Sequence, residues 1–197
     1  VDRQWPYSSK GPPVSTIDIA TIDEEELVLR AQKGDQLCLA ALYERYYDRL
    51  YRFALARLGN QSDSEDLAQD VFLKMVDKLA GYRFQGAPFG AWLFRIAHNA
   101  VVDLIRRRSR RPQVVMDEIF AAADINVELE VERSLTKEEL IKAMSRLTPA
   151  QQDVLTLRFA SELSVRDTAK VLGKAEGTVK ATQLQALRAL RRVMADR

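Results

Sequence analysis

From Asp23 onward the chain carries apolar residues at helical spacing. Leu39, Leu42, Tyr43, Tyr46, Leu50 and Phe53 recur every three or four residues, which puts them on one face of a helix. Gly59 supplies a left-handed stop. Ser62 and Glu65 have the spacing of a capping box, with Leu67, Val71, Met75 and Leu79 forming the apolar stripe behind them. Residues 80–90 interrupt the periodicity with three glycines and a proline. Helix resumes near Pro88, with Phe89, Leu93, Ile96, Ala100 and Leu104 on one side. These shared stripes predict a small helical domain over residues 23–112.

The periodicity then fades. Positions 117–139 hold eight acidic residues against two basic ones, so residues 113–135 read as a flexible acidic linker. Three more helix starts follow: Thr136 with Glu139, Thr148 with Pro149 and Gln151, and Ser164 with Asp167. They predict a second domain of about four helices over residues 136–197. Residues 1–22 are proline-containing and unpatterned, and read as a flexible tail. The expected fold class is all-α: two small helical domains, the C-terminal one containing a helix-turn-helix.

Composition narrows the function. A hydrophobic fraction of 47% excludes disorder throughout. A net charge of +2 implies no partner by itself, but five arginines crowd positions 106–111. Cys38 is the single cysteine, which excludes an internal disulfide and a multi-cysteine zinc site; its apolar neighbours suggest a buried, inert thiol. No apolar run approaches a membrane span and no signal peptide is apparent, so no stable membrane insertion and a cytoplasmic location are expected. His98, the single histidine, has no acid, thiol or second histidine beside it in the pattern. Phosphate loops, nucleophile elbows and metal-ligand spacings are missing from the sequence, so neither an enzyme nor a cofactor is expected.

Two constellations remain. Near the C-terminus a short helix, Ser164–Leu172, turns at Gly173 into a longer one starting near Ala175. Ala169 is small where two helices cross, and Val179 anchors the second helix: the form of a helix-turn-helix, whose second helix enters the major groove. Glu176, Thr178, Lys180, Thr182 and Gln183 would face DNA, with Arg188, Arg191 and Arg192 extending the basic character. The plainer alternative is a helical hairpin with a solvated basic face.

In the first domain, Asp66, Gln69 and Asp70 share the polar face opposite the stripe and could dock a basic protein surface, or simply be solvated. Tyr82, Phe84, Phe89, Trp92 and Phe94 stand near Arg83 and Arg95, a mixture suited to stacking on unpaired bases. Phe89 and Trp92 belong to or border the apolar stripe, so Tyr82 and Phe84 are the better candidates. Arg95, Asn99, Asp103 and Arg106 then align on one face that ends in the arginine cluster.

Taken together, LYERYYDRLYRFALARL, DSEDLAQDVFLKMVDKL, YRFQGAPFGAWLFRIAHNAVVDLIRRRSRR and LTPAQQDVLTLRFASELSVRDTAKVLGKAEGTVK resemble the extracytoplasmic-function (ECF) sigma factors, which retain regions 2 and 4 of the sigma-70 superfamily. The resemblance covers about residues 27–112 and 138–193. It implies that Asp66, Gln69 and Asp70 bind core RNA polymerase, and that the loop from Tyr82 to Phe89 captures a flipped base. It further implies that Asn99, Asp103, Arg106 and Arg107 meet the −10 element, and that the helix from Glu176 reads the −35 element. Partners so implied are core polymerase, promoter DNA and an anti-sigma factor. Ala181, Thr182 and Gln183 depart from the commoner serine–arginine–leucine run after GTVK, so base preference is not inherited. The competing readings are a stand-alone helix-turn-helix regulator on a palindromic operator, and a helical protein-interaction module or anti-terminator.

Overall fold

The computed structural model describes residues 22–84, 87–110 and 137–195. The expected tail, the acidic linker and the Thr136 cap lie outside the described residues. Within them the chain is helical: α1 (Glu24–Gln32), α2 (Gln36–Leu58), α3 (Gln61–Leu79), α4 (Phe89–Arg110), α5 (Lys137–Ser145), α6 (Pro149–Leu155), α7 (Val165–Leu172) and α8 (Glu176–Ala195). A π-helical turn, Thr156–Ala160, continues α6.

Local chemistry sets the boundaries. Asp23 and Asp35 cap α1 and α2 by accepting backbone N–H bonds, and Gly59 closes α2 at φ 79°. The start of α3 differs from the sequence expectation. Its cap is Asn60, not Ser62: Asn60 is extended, and its Oδ1 accepts from the Asp63 N–H at 2.8 Å. The chain leaves Gly59 already aimed into the next helix, so the cap falls two positions early. Thr148 and Gln151 form the expected reciprocal box with Pro149 inside it, and Ser164 accepts from the Asp167 N–H. Gly173, at φ 63°, makes the turn between α7 and α8.

Helices α1–α4 enclose Leu27, Leu42, Leu50, Phe53, Met75, Phe89, Leu93 and Phe94, all essentially inaccessible to solvent. Each such side chain stabilises by roughly 1.5–3 kcal/mol when fully buried. The predicted stripe of α3 (Leu67, Val71, Met75, Leu79) is buried throughout. Gly90 lets α4 approach α2, since a Cβ there would stand 2.9 Å from the Tyr46 hydroxyl. In the second group, Val154, Ala169 and Val179 lock α6, α7 and α8 together, and Met144, Leu147, Leu155 and Ala186 form a neighbouring cluster.

The two groups also share a core. Leu157 of the π turn, Leu163 and Val171 join the cluster built by α1–α4. The π turn, with its i→i+5 bonding, is a local widening of the helix. Leu157, within it, is fully buried.

Candidate nucleic-acid and protein interfaces

On α3, Asp66, Gln69 and Asp70 are all exposed on the face away from the core. Leu73, 66% exposed, continues that row at the seventh position from Asp66. The row is thus acidic at one end and apolar at the other, a composition suited to a basic amphipathic surface. Sequence reading missed Leu73 because it stands between the stripe residues Val71 and Met75. Its signal was the helical offset from Asp66, not its apolarity.

The loop after α3 is held from beneath. Gln32 on α1 donates through Nε2 to the carbonyls of Leu79 and Tyr82, each at 2.9 Å. Tyr82 overturns the expectation of an exposed base platform. It is 5% exposed, donates its hydroxyl to the Ala87 carbonyl at 3.1 Å, and packs on Phe84, Phe89 and Trp92. Burial, helped by Glu24 and Glu25, pushes its phenol up to about 12. A ring flanked by glycines reads as exposed in sequence, yet this one is the inner support on which half-buried Phe84 rests. Arg83 is exposed, with its guanidinium donating to the carbonyls of Ala80 and Tyr82. Phe89 and Phe94 are core, and Trp92 is half-buried.

On α4, Arg95, Asn99, Asp103, Arg106 and Arg107 all lie exposed along the helix. Two arginines nearby are engaged with protein: Arg95 donates to the Lys170 carbonyl of α7, and Arg108 pairs with Asp63 at 2.5 Å. The Arg108 pair holds the Asp63 carboxyl below its usual range.

On α8, Glu176, Thr178, Lys180 and Arg188 are exposed and Thr182 is half-buried. Gln183 departs from its expected place among the free readers. Its Oε1 accepts from Arg158 Nε at 3.0 Å, which turns it toward the π turn. Val179 beneath them is fully buried, as expected of the anchor.

His98 also corrects the sequence reading. Its Nε2 lies 3.4 Å from Asp153 Oδ2, on α6 of the other group. The acid is distant in sequence, so no local pattern revealed it. Across the same junction an apolar groove of about 590 Å³ is lined by Tyr51, Leu55, Ile141, Met144, Phe159 and Leu187, among others. Cys38 is buried as expected and bonds Asp35; burial and that carboxylate push its thiol up to about 11. Among the described residues no cluster of metal-ligating side chains occurs, and no helix is long and apolar enough to cross a membrane.

A helix-turn-helix joined to a helical module with a basic α4 end and an acidic exposed face on α3 has the composition of a DNA-binding protein. A model of sigma-70 region 2 matches residues 42–111, and one of sigma-70 region 4 matches residues 137–190. The chain is 39% identical over 173 residues to the ECF RNA polymerase sigma factor BldN of Streptomyces coelicolor, covering 87% of this chain and 66% of that protein. It is 32% identical to the ECF sigma factor ShbA of Streptomyces griseus, over 84% of this chain and 92% of that one. The sigma factor RpoE of Bartonella quintana, solved with the anti-sigma factor NepR, superposes with a TM-score of 0.64 at 26% identity, over 79% of this chain and 96% of its own. The chain belongs to the ECF sigma factors of the sigma-70 superfamily. It is a non-catalytic specificity subunit that brings RNA polymerase to promoters, not an enzyme.

Proposed function

We propose that the exposed row Asp66, Gln69, Asp70 and Leu73 docks core RNA polymerase, and that the same chain then presents two DNA-reading surfaces to one promoter. Asn99, Asp103, Arg106 and Arg107 on α4 meet the −10 element, with Arg83 and Phe84 at the adjoining loop receiving an unstacked base on the Tyr82 support. Glu176, Thr178, Lys180, Thr182 and Arg188 on α8 meet the −35 element. The observation that carries this reading is the exposure of the α3 and α4 rows, and of Glu176, Thr178, Lys180 and Arg188 on α8, beside buried anchors of the same helices.

Affinity for DNA would come chiefly from arginine and lysine on phosphate, through counterion release, and selectivity from base contacts. Unstacking costs a few kcal/mol, which stacking on Phe84 and contact with Arg83 would offset. A cytoplasmic anti-sigma partner of apolar helical character suits the groove across the junction. The anti-sigma complex formed by RpoE supports that partner class.

The docking assignment is tested by core binding. Asp66→Asn with Asp70→Asn should weaken affinity for sigma-free core polymerase at least tenfold and leave helix content unchanged. Leu73→Ala should add to the loss. Unchanged core affinity would remove α3 from the docking surface.

A further inference from the structure

Gln32, the last residue of α1, belongs to none of the docking or DNA-reading rows, yet it grips the start of the loop between α3 and α4. α1 itself lies ahead of the part of the chain that matches region 2. It is firmly seated: Leu27 and Val28 are fully buried and Ala31 nearly so, in the core that also holds Leu79 and Phe89. From this fixed end Gln32 Nε2 donates to the carbonyls of Leu79 and Tyr82, each at 2.9 Å. A side-chain amide has two N–H donors, and the two bonds to this loop use both.

Each carbonyl has a second donor. The Leu79 carbonyl accepts from the Tyr82 N–H at 3.0 Å, and the Tyr82 carbonyl from the Arg83 guanidinium at 2.9 Å. Arg83 also reaches the Ala80 carbonyl at 3.0 Å, so in the free chain this cation is folded back onto its own backbone. To meet DNA it must let go. The Tyr82 carbonyl then keeps Gln32 as its donor. Without Gln32, release would strip both donors from a carbonyl whose residue is only 5% exposed, and the penalty for that would oppose release.

The aromatic support depends on the same point. The Tyr82 hydroxyl donates to the Ala87 carbonyl at 3.1 Å, and Phe84 stands edge-on to the Tyr82 ring with centroids 5.0 Å apart. Tyr82 is thus held at its backbone by Gln32 and at its hydroxyl by Ala87, and the place of Phe84 follows from both.

We propose that Gln32 is a positioning residue for promoter opening: it holds the Tyr82 carbonyl from α1, so that Arg83 can leave that carbonyl for DNA while Tyr82 and Phe84 keep their places. The proposal rests on the reading of Arg83 and Phe84 as receivers of an unstacked base. A loop already in position loses less freedom when it captures that base, so Gln32 acts on strand separation and not on attachment to polymerase.

Gln32→Met keeps the side-chain length and removes both donors, while each carbonyl retains its second one. The full chain, joined to sigma-free core polymerase, is given a promoter fragment on which that holoenzyme starts transcription. One template is fully duplex; the other carries non-complementary bases across the −10 region. Permanganate reactivity of unpaired thymines follows opening. Gln32→Met should open the duplex at least fivefold more slowly, yet transcribe the pre-opened template within twofold of wild type at saturating holoenzyme. Duplex opening within twofold of wild type overturns the proposal. An equal loss on both templates, or weakened core binding, shows that Gln32 acts through the fold at large and also overturns it.

Phe84→Ala separates the proposal from the reading beneath it. If Phe84→Ala opens the duplex normally, the base-receiving loop falls and Gln32 with it. If Phe84→Ala is impaired and Gln32→Met is not, only the role of Gln32 falls. A wild-type holoenzyme that opens no promoter refutes the sigma reading and the proposal together. Hydrogen exchange in the free chain adds a direct measure of positioning. Amides of residues 81–84 should exchange at least fivefold faster in Gln32→Met, with those of residues 67–75 in α3 unchanged. Unaltered exchange at 81–84 would show that Gln32 does not hold the loop.

Discussion

Single residues divide by whether their partners are near in sequence. Cys38 was legible because its apolar neighbours and the Asp35 cap lie within one turn, and its buried state follows from them. Tyr82 and His98 were not, because each is defined by contacts made from other elements. Tyr82 is roofed by Phe89 and Trp92, and His98 meets Asp153 across the junction. The Cys38 thiol gives a residue-level prediction. Its pKa rises from 9.0 to about 11 on folding, so the folded state holds its proton more tightly. The associated stability is complete below pH 9 and is lost as pH rises toward 11. Chemical denaturation across that window should show the decline, and a Cys38→Ala variant should lack that component. A maleimide should label native protein at pH 7 only as fast as the protein opens.

Helices were read best where a cap, an apolar stripe and a stop agree. The stripe of α3, the box at Thr148, the Ser164 cap and the Gly173 turn all follow from residues within four positions of one another. The start of α3 was misplaced because Ser62–Glu65 imitates a capping box, while Asn60 follows Gly59 in the extended conformation a cap requires. That difference is measurable. Asn60→Ala should cost about 1 kcal/mol in urea denaturation, whereas Ser62→Ala, an exposed position inside the helix, should change stability by less than about 0.5 kcal/mol. The reverse order would return the cap to Ser62. The π turn had no sequence signal. It holds Leu157, which lies in the core of the other helix group.

At the scale of the whole molecule, the order of the helices and the exposure of Asn99, Asp103, Arg106 and Arg107 on α4 and of Glu176, Thr178 and Lys180 on α8 could be read from sequence, whereas the packing of the two groups could not. Arg49, Arg52 and Arg57 recur along α2 and look like a solvated basic face, yet all three cross to Ser161, Glu162 and Asp153. Pairing over that distance follows from tertiary geometry alone. The most direct measurement is transcription from a library of promoter fragments by sigma-free core polymerase, with and without the purified chain, and start sites mapped by sequencing. The sigma reading predicts discrete starts that appear only when chain and core are combined, each preceded by a shared pair of upstream elements. No chain-dependent starts, together with full occupancy of a palindromic DNA site by the chain alone, would contradict it.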